Sequence, residues 1–263
     1  MSTTAEIDME GEQQPSVAEL EKPGLARWVI QPLLAIGLAV GVVIYTKVGN
    51  LTENEQASVQ ISTLSDQLGE HMKVSLVATV LVCIIAVPFG IALTRGTLRK
   101  YADPILAVAG FGQAAPVIGL IVISIMIFGF GHSFLAAVAA LTVYGILPIV
   151  ANTVAGLNGV DPKLVESSRG MGMSAMATLL RVEIPIALPV IVAGMRTALV
   201  LMIGAAAMVV LIGAGGLGTP IDLGIKRLQT PVLISGSLLV AALALIVDWL
   251  AHLIEMIAAP KGL

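Results

Sequence analysis

The chain has 263 residues, of which 57% are hydrophobic and 12% charged, and its mean hydropathy is +0.98. Soluble domains carry about 45–50% apolar and about 25% charged residues, so a soluble enzyme and a disordered chain are both excluded. A formal net charge of −3 leaves no basic footprint for nucleic acid, and the single cysteine, Cys83, excludes an internal disulfide or a cysteine-based zinc cluster.

Residues 1–27 carry Glu6, Asp8, Glu10, Glu12, Glu19 and Glu21 with no base before Lys22. Like charge and low hydrophobicity predict a disordered acidic tail. Six stretches then lack Asp, Glu, Lys, Arg and His: 28–46, 74–94, 104–131, 133–160, 197–221 and 228–247. About 20 apolar residues cross a bilayer, and the runs do not alternate as barrel strands do. The expected fold class is all-α: a polytopic membrane bundle of six transmembrane helices. The first is an uncleaved anchor over 28–48, because no basic n-region or A-x-A site frames it. Pro116 predicts a kink or break in the third. The fifth begins near Pro189, contains Arg196 and ends near Gly213, where glycines accumulate.

Lysines and arginines in short loops set orientation. With the amino terminus inside, nine bases face the cytoplasm and four face outward, so both termini are expected to be cytoplasmic. The segment 48–70 is then external. Its acids Glu53, Glu55, Asp66 and Glu70 read as a solvated loop.

The longest internal connection, about 161–183, has helix signals. Asp161-Pro162 is an N-cap followed by proline at the first helical position. Gly170 can end that helix in a left-handed turn. Ser174 can cap a second helix over 175–182, which is expected to stop before Pro185. A rigid helix–turn–helix outside the bilayer suits docking to a cytosolic partner; a structural connector is the alternative.

Several features are decoys or lone residues. Gly213, Gly215 and Gly218 spell G-x-G-x-x-G, but they close a membrane span rather than open a helix after a strand. They read as tight packing, or, with Gly216, as an external gate or hinge. His71, His132 and His252 lie far apart and none belongs to an H-E-x-x-H motif, so no metal site is expected. No nucleophile–base pair supports a catalytic residue. Arg196 is expected to snorkel toward the interface. Asp248 either reaches water or bonds a neighbouring helix.

Glu166-Ser167-Ser168-Arg169-Gly170-Met171-Gly172, followed by Ile184-Pro185-Ile186-Ala187-Leu188-Pro189, resembles the Glu-Ala-Ala signature of ABC importer permeases. Serines replace both alanines. In that family the motif forms a coupling helix on the ATPase subunit. The resemblance therefore implies a docking surface of Glu166, Ser167, Ser168, Gly170, Met171 and Gly172. Gly172 fits the family spacing, whereas Gly170 fits the turn. The run from Tyr144 through Pro148, Asn152 and Gly156, then 193–196 and 211–218, is similar to permeases for osmoprotectants such as glycine betaine, carnitine and choline. Methionine importers share this core. The similarity covers 68–257, the type I importer transmembrane domain. A Gln-x-x-Pro like Gln113 to Pro116 occurs there, and broken membrane helices line cavities. Gln113, Pro116, Tyr144, Asn152, Gly213, Gly215 and Gly216 are thus candidates for the translocation path or gate.

No G-x-x-x-x-G-K-[ST] motif occurs. The expected role is a non-catalytic permease subunit in the bacterial or archaeal cytoplasmic membrane, binding no cofactor itself. ATP is used by a separate cytosolic ATPase. The implied partners are that ATPase, a second permease chain, identical or paralogous, the lipid bilayer and a separate extracytoplasmic substrate-binding protein. With 4% aromatic residues the chain cannot build a full aromatic cage for a quaternary ammonium. The alternatives are a permease for another small solute such as methionine, or an ion-coupled secondary transporter.

Overall fold

The computed structural model describes residues 26–114 and 116–258; the acidic tail read over 1–27 lies almost wholly outside them. A π-helical turn, Ala26–Ile30, leads into α1, Gln31–Val48. Then follow α2 (Glu53–Ser58), α3 (Ile61–Leu93), α4 (Ala102–Ala114), α5 (Val117–Phe128) and α6 (Ser133–Asn158). The second half holds α7 (Pro162–Gly170), α8 (Ala175–Thr178), α9 (Ile184–Ala206), α10 (Gly218–Lys226) and α11 (Thr230–Ala258). No strand occurs among the described residues.

Among the described residues five helical runs are long and apolar enough to cross a membrane: Trp28–Val48, Glu53–Leu93, Phe130–Asn158, Ala175–Ile212 and Thr230–Ile257. The remaining expected crossing, 104–131, is broken. It forms α4 and α5 of 13 and 12 residues, each too short to span alone. Pro116 is the N-cap residue of α5, and its carbonyl accepts the Gly119 N–H at 2.8 Å.

Three other expectations change. The second crossing does not start at residue 74: α3 begins at Ile61, and residue 68 lies inside it. Its first turns carry Asp66, Glu70, His71 and Lys73, so a charge-free window cuts the helix short. The segment 48–70 is helical as well. Thr52 and Glu55 form a reciprocal capping box at the start of α2. The helix after Ser174 does not stop before Pro185. It runs through a π-helical turn, Leu179–Glu183, into α9, with the Ile184 N–H bonded to the Leu179 carbonyl. Pro185 falls in the first turn of α9, where its missing N–H costs little.

The core centres on α6, which packs against α3, α4, α5 and α9. Ala78, Ala86, Ala136, Ala137, Ala198 and Ala206 are fully buried there. Small residues let membrane helices approach closely, where van der Waals packing substitutes for a hydrophobic driving force. On the other side α11 packs against α9, α10 and α1.

Arg196 does not snorkel. Its Nε and Nη2 donate to the two carboxylate oxygens of Asp248 at 2.6 and 2.8 Å. Its Nη1 lies 3.2 Å from Glu255 Oε2 and 3.1 Å from His252 Nδ1. Residues 248, 252 and 255 follow i, i+4, i+7 spacing and share one face of α11. Gln31 of α1 joins them, its Nε2 donating to Asp248 Oδ2 at 2.8 Å and to the Leu245 carbonyl at 3.1 Å.

Replacing Arg196 by Met leaves two largely buried carboxylates without their guanidinium. We expect a stability loss on the order of 3 kcal/mol, read as a lower thermal unfolding midpoint of the detergent-solubilised chain. Adding Asp248→Asn recovers part of the loss. A wild-type midpoint for Arg196→Met contradicts the structural weight given to the pair.

Candidate functional site

The sequence-chosen residues fall into two places at opposite ends of the bundle, with a few between. The first is the α7–α8 turn. Asp161 caps α7 by accepting the Lys163 N–H at 2.9 Å, and Ser174 caps α8 by accepting the Ala177 N–H at 3.2 Å. Between the caps the chain makes a Schellman turn. The Met173 N–H bonds the Ser168 carbonyl at 3.2 Å and the Gly172 N–H bonds the Arg169 carbonyl at 3.0 Å.

Gly172 takes the positive φ of +89°, whereas Gly170 is the last residue of α7. The left-handed turn therefore belongs to Gly172 and not to Gly170. Glu166, Ser167, Gly170, Met171 and Gly172 are exposed. Ser168 is not. It is buried against α8, its Oγ donating to the Val165 carbonyl at 2.8 Å and lying 3.4 Å from Thr178 Oγ1. Ser168 thus fixes the two short helices together rather than meeting a partner. Around the turn, Leu164, Met171, Met176 and Leu180 are exposed apolar side chains on an otherwise polar unit. Beneath it Leu157, Val160, Leu179, Ala187 and Ile191 form a small separate core.

Beside the turn lies a polar cavity of about 270 Å³ lined by Arg95, Arg99, Asn158, Glu166 and Glu183, among others. Glu183, in the π-helical turn, is 5% exposed and is held by both terminal nitrogens of Arg95, with Nη1 to Oε1 at 3.1 Å. Arg95 lies just beyond the carboxyl end of α3.

The second place is the loop between α9 and α10. Gly213, Gly215 and Gly216 have φ of +75°, +74° and +88°. The carboxylate of Glu70 on α3 accepts the Gly216 N–H at 2.9 Å. A Cβ on Gly215 would lie 2.2 Å from Glu70 Oε2, so a side chain there would push this carboxylate aside. Glu70 is exposed as expected, but it sits on the helix α3 and is bonded to this loop. The neighbouring His71 is buried, with Nε2 2.9 Å from the Ile203 carbonyl of α9.

The remaining path candidates are dispersed. A Cβ on Gly213 would lie 3.8 Å from Ser133 Oγ, at the start of α6. Tyr144 and Asn152 lie farther along α6, about 16 and 28 Å away by helical rise. Tyr144 is half-buried against the main core. Asn152 donates to the Pro148 carbonyl at 2.8 Å and packs where α6 meets Gly194 of α9. Gln113, half-buried, and Pro116, exposed, flank the α4–α5 break. These seven residues do not form one pocket.

Residues 86–256 match the family model described as "Binding-protein-dependent transport system inner membrane component". The chain belongs to that family. It is 40% identical over 195 residues to the glycine betaine/carnitine/choline transport system permease protein OpuCB of Bacillus subtilis (strain 168), covering 74% of this chain and 88% of that protein. It is likewise 40% identical to the osmoprotectant import permease protein OsmW of Salmonella typhimurium (strain LT2), covering 74% and 91%. An inward-facing structure of the MetNI methionine ABC transporter superposes with a TM-score of 0.67 at 24% identity, covering 80% of this chain and all of that one. That likeness concerns the fold. The chain is a multi-pass inner-membrane component with the permease fold. The matched segment contains the α7–α8 turn, the glycine loop, Arg196 and Asp248; α1, α2 and most of α3 precede it.

The Arg95–Glu183 and Arg196–Asp248 pairs went unrecognised in the sequence. The second had a signal, the 248/252/255 face of α11. The first pairs residues 88 apart, and no local pattern marks it.

Because Gly172 requires φ near +89° and Gly170 is helical, alanine separates them. Gly172→Ala costs roughly 1–2 kcal/mol locally, seen as faster amide exchange over 171–174. Gly170→Ala leaves exchange unchanged or slower. The reverse order would return the turn to Gly170.

Proposed function

We propose that this chain is the permease subunit of an ATP-driven importer, forming the translocation path for a small osmoprotectant such as glycine betaine, carnitine or choline. One observation carries the mechanism: a Schellman turn that exposes Glu166, Met171 and Gly172 together on a small rigid unit. The names of the relatives support the substrate class.

In this reading residues 161–189 lie in the cytoplasm with both termini, and the glycine loop faces outward. The transport domain is residues 68–257. Glu166, Ser167, Gly170, Met171 and Gly172 contact a separate ATPase subunit, with Ser168 holding the unit's shape. The exposed methionines suit such a contact, because an unbranched thioether adapts to irregular surfaces. Two permease chains face each other across the path. ATP binding and hydrolysis by the partner favour different arrangements of the docking turns, and the pathway alternates between inward- and outward-open states through that differential binding. This chain supplies the path and no chemistry. The bends at Gln113 and Pro116 and the loop at Gly213, Gly215 and Gly216 are the places where the wall can change, with Tyr144 and Asn152 on α6 between them.

Selectivity comes from a separate extracytoplasmic binding protein. The described helices carry few aromatic residues, and Arg196 is engaged by Asp248 and Glu255 while Arg95 is engaged by Glu183. Such a wall passes a compact methylammonium solute without holding it tightly.

Two outcomes test this. A Cβ at Gly170 meets no atom within 4 Å, so Gly170→Leu leaves the chain folded. Glu166→Lys changes an exposed charge. We expect both variants to insert normally, lose co-purification with the ATPase, and lose uptake of labelled glycine betaine into proteoliposomes. Retained ATPase in both variants refutes the docking assignment. Separately, calorimetric titration with glycine betaine, carnitine and choline should show saturable binding by the binding protein and none by the purified permease. Selective binding by the permease alone would place recognition inside this chain.

A further inference from the structure

The docking turn and the glycine loop are the two ends of one helical run. Ala175–Ile212 extends from α8 through the π-helical turn and α9 to the residue before Gly213. Antiparallel to it lies α3, which packs directly against α9. Two polar contacts staple these helices, one at each end. At the docking end both terminal nitrogens of Arg95 hold the buried carboxylate of Glu183. At the other end Glu70 of α3 holds the Gly216 N–H. Between them His71 Nε2 meets the Ile203 carbonyl. Glu70 and Arg95 are 25 positions apart, about 37 Å by helical rise.

Each staple sits at a place of weak local structure. Glu183 lies in a π-helical turn, a form frequent at functional sites. Gly216 follows Gly213 and Gly215, all three with positive φ, so the loop backbone there has a conformation that few other residues adopt. Besides the staples, the docking unit meets α9 through the π turn and the small apolar core of Leu157, Val160, Leu179, Ala187 and Ile191, and the glycine loop is anchored by the buried Leu217. The staples add a directional polar tie from each end to α3, a single 33-residue helix.

We propose that α3 is the transmission element of the permease, and that Arg95, Glu183 and Glu70 are positioning residues that join the docking turn to the glycine loop. Movement imposed on the α7–α8 unit passes through Glu183 to Arg95, along α3, and through Glu70 to Gly216. The inference rests on the docking role proposed above.

The test uses the permease reconstituted with its ATPase and binding protein in proteoliposomes. Three quantities are read: ATPase retained on the permease, the rate of ATP hydrolysis, and labelled glycine betaine taken up per ATP hydrolysed. Arg95→Ala combined with Glu183→Gln removes the first staple without leaving a buried charge unpaired. Glu70→Ala removes the second. Glu70→Gln is the conservative control, since its amide oxygen still accepts from Gly216. We expect the double variant and Glu70→Ala to keep the ATPase attached while uptake per ATP falls about fivefold or more, with Glu70→Gln near wild type. An unchanged ratio in Glu70→Ala overturns the proposal, and so does an equal fall with Glu70→Gln. A parallel loss of attachment and hydrolysis in both staple variants also overturns it, because the contacts would then only support the fold. Failure of the docking reading is seen separately, as ATPase retained by Gly170→Leu and Glu166→Lys.

Discussion

A backbone N–H or C=O taken out of water without a partner costs several kcal/mol, and within hydrocarbon no water can make up the loss. The helix ends and irregularities of this chain fall where a substitute partner is supplied. Pro185 interrupts no bond, because the π-helical turn before it rearranges the ladder by one residue and the proline occupies a first turn. The α4–α5 break gives the Pro116 carbonyl the Gly119 N–H. The end of α7 is closed by its Schellman ring. At the end of α9 the chain turns through three left-handed glycines, and the Gly216 N–H finds the Glu70 carboxylate. The last case differs from the others: the substitute partner comes from another helix, 146 residues away. Backbone satisfaction there doubles as a tertiary contact. The same need that keeps the helices regular therefore decides which helix the glycine loop rests on.

How much of this the amino-acid pattern carries depends on the range of the interaction. Apolar runs are local, and they locate the crossings and the breaks at Pro116 and Gly213. Caps are local too, and Asp161 and Ser174 mark the starts of α7 and α8 as the structure has them. The choice between Gly170 and Gly172 is not local. Ser168 is buried 3.4 Å from Thr178 across the turn, and the left-handed residue, Gly172, falls two positions past the first available glycine. The amino end of α3 was lost for another reason. A helix that leaves the apolar core while still packed against α9 and the glycine loop acquires charged residues before it ends, so a search for charge-free stretches stops early.

Charged residues within apolar stretches are the least legible, because their partners lie on other helices. Arg196 next to hydrocarbon alone suggests snorkelling. Beside Asp248, Glu255 and His252 the guanidinium has partners in the bundle and no need to reach water. An intramembrane charge is informative when its candidate partners are sought on other helices by face rather than by sequence neighbourhood. Asp248, His252 and Glu255 provided such a face. Arg95 and Glu183 provide none, since Arg95 lies just beyond the carboxyl end of α3 and Glu183 in the π-helical turn before α9.

The two ion pairs also differ in what they join. Arg196 and Asp248 both belong to the family-matched segment, and their bond ties α9 to α11 within it. Gln31 of α1 adds to a pair that is already complete. The amide can donate to Asp248 because the carboxylate is held in place, with Leu245 offering its carbonyl on the same side. Gln31 adds a neutral donor to a carboxylate that the guanidinium already holds, and the same contact ties α1 to the bundle. A helix added beside an existing bundle faces a docking surface that is mostly apolar, against lipid that is equally apolar, so packing alone discriminates weakly. A prearranged, partly buried carboxylate supplies the missing specificity, because only one rotation of α1 about its axis brings Gln31 to it.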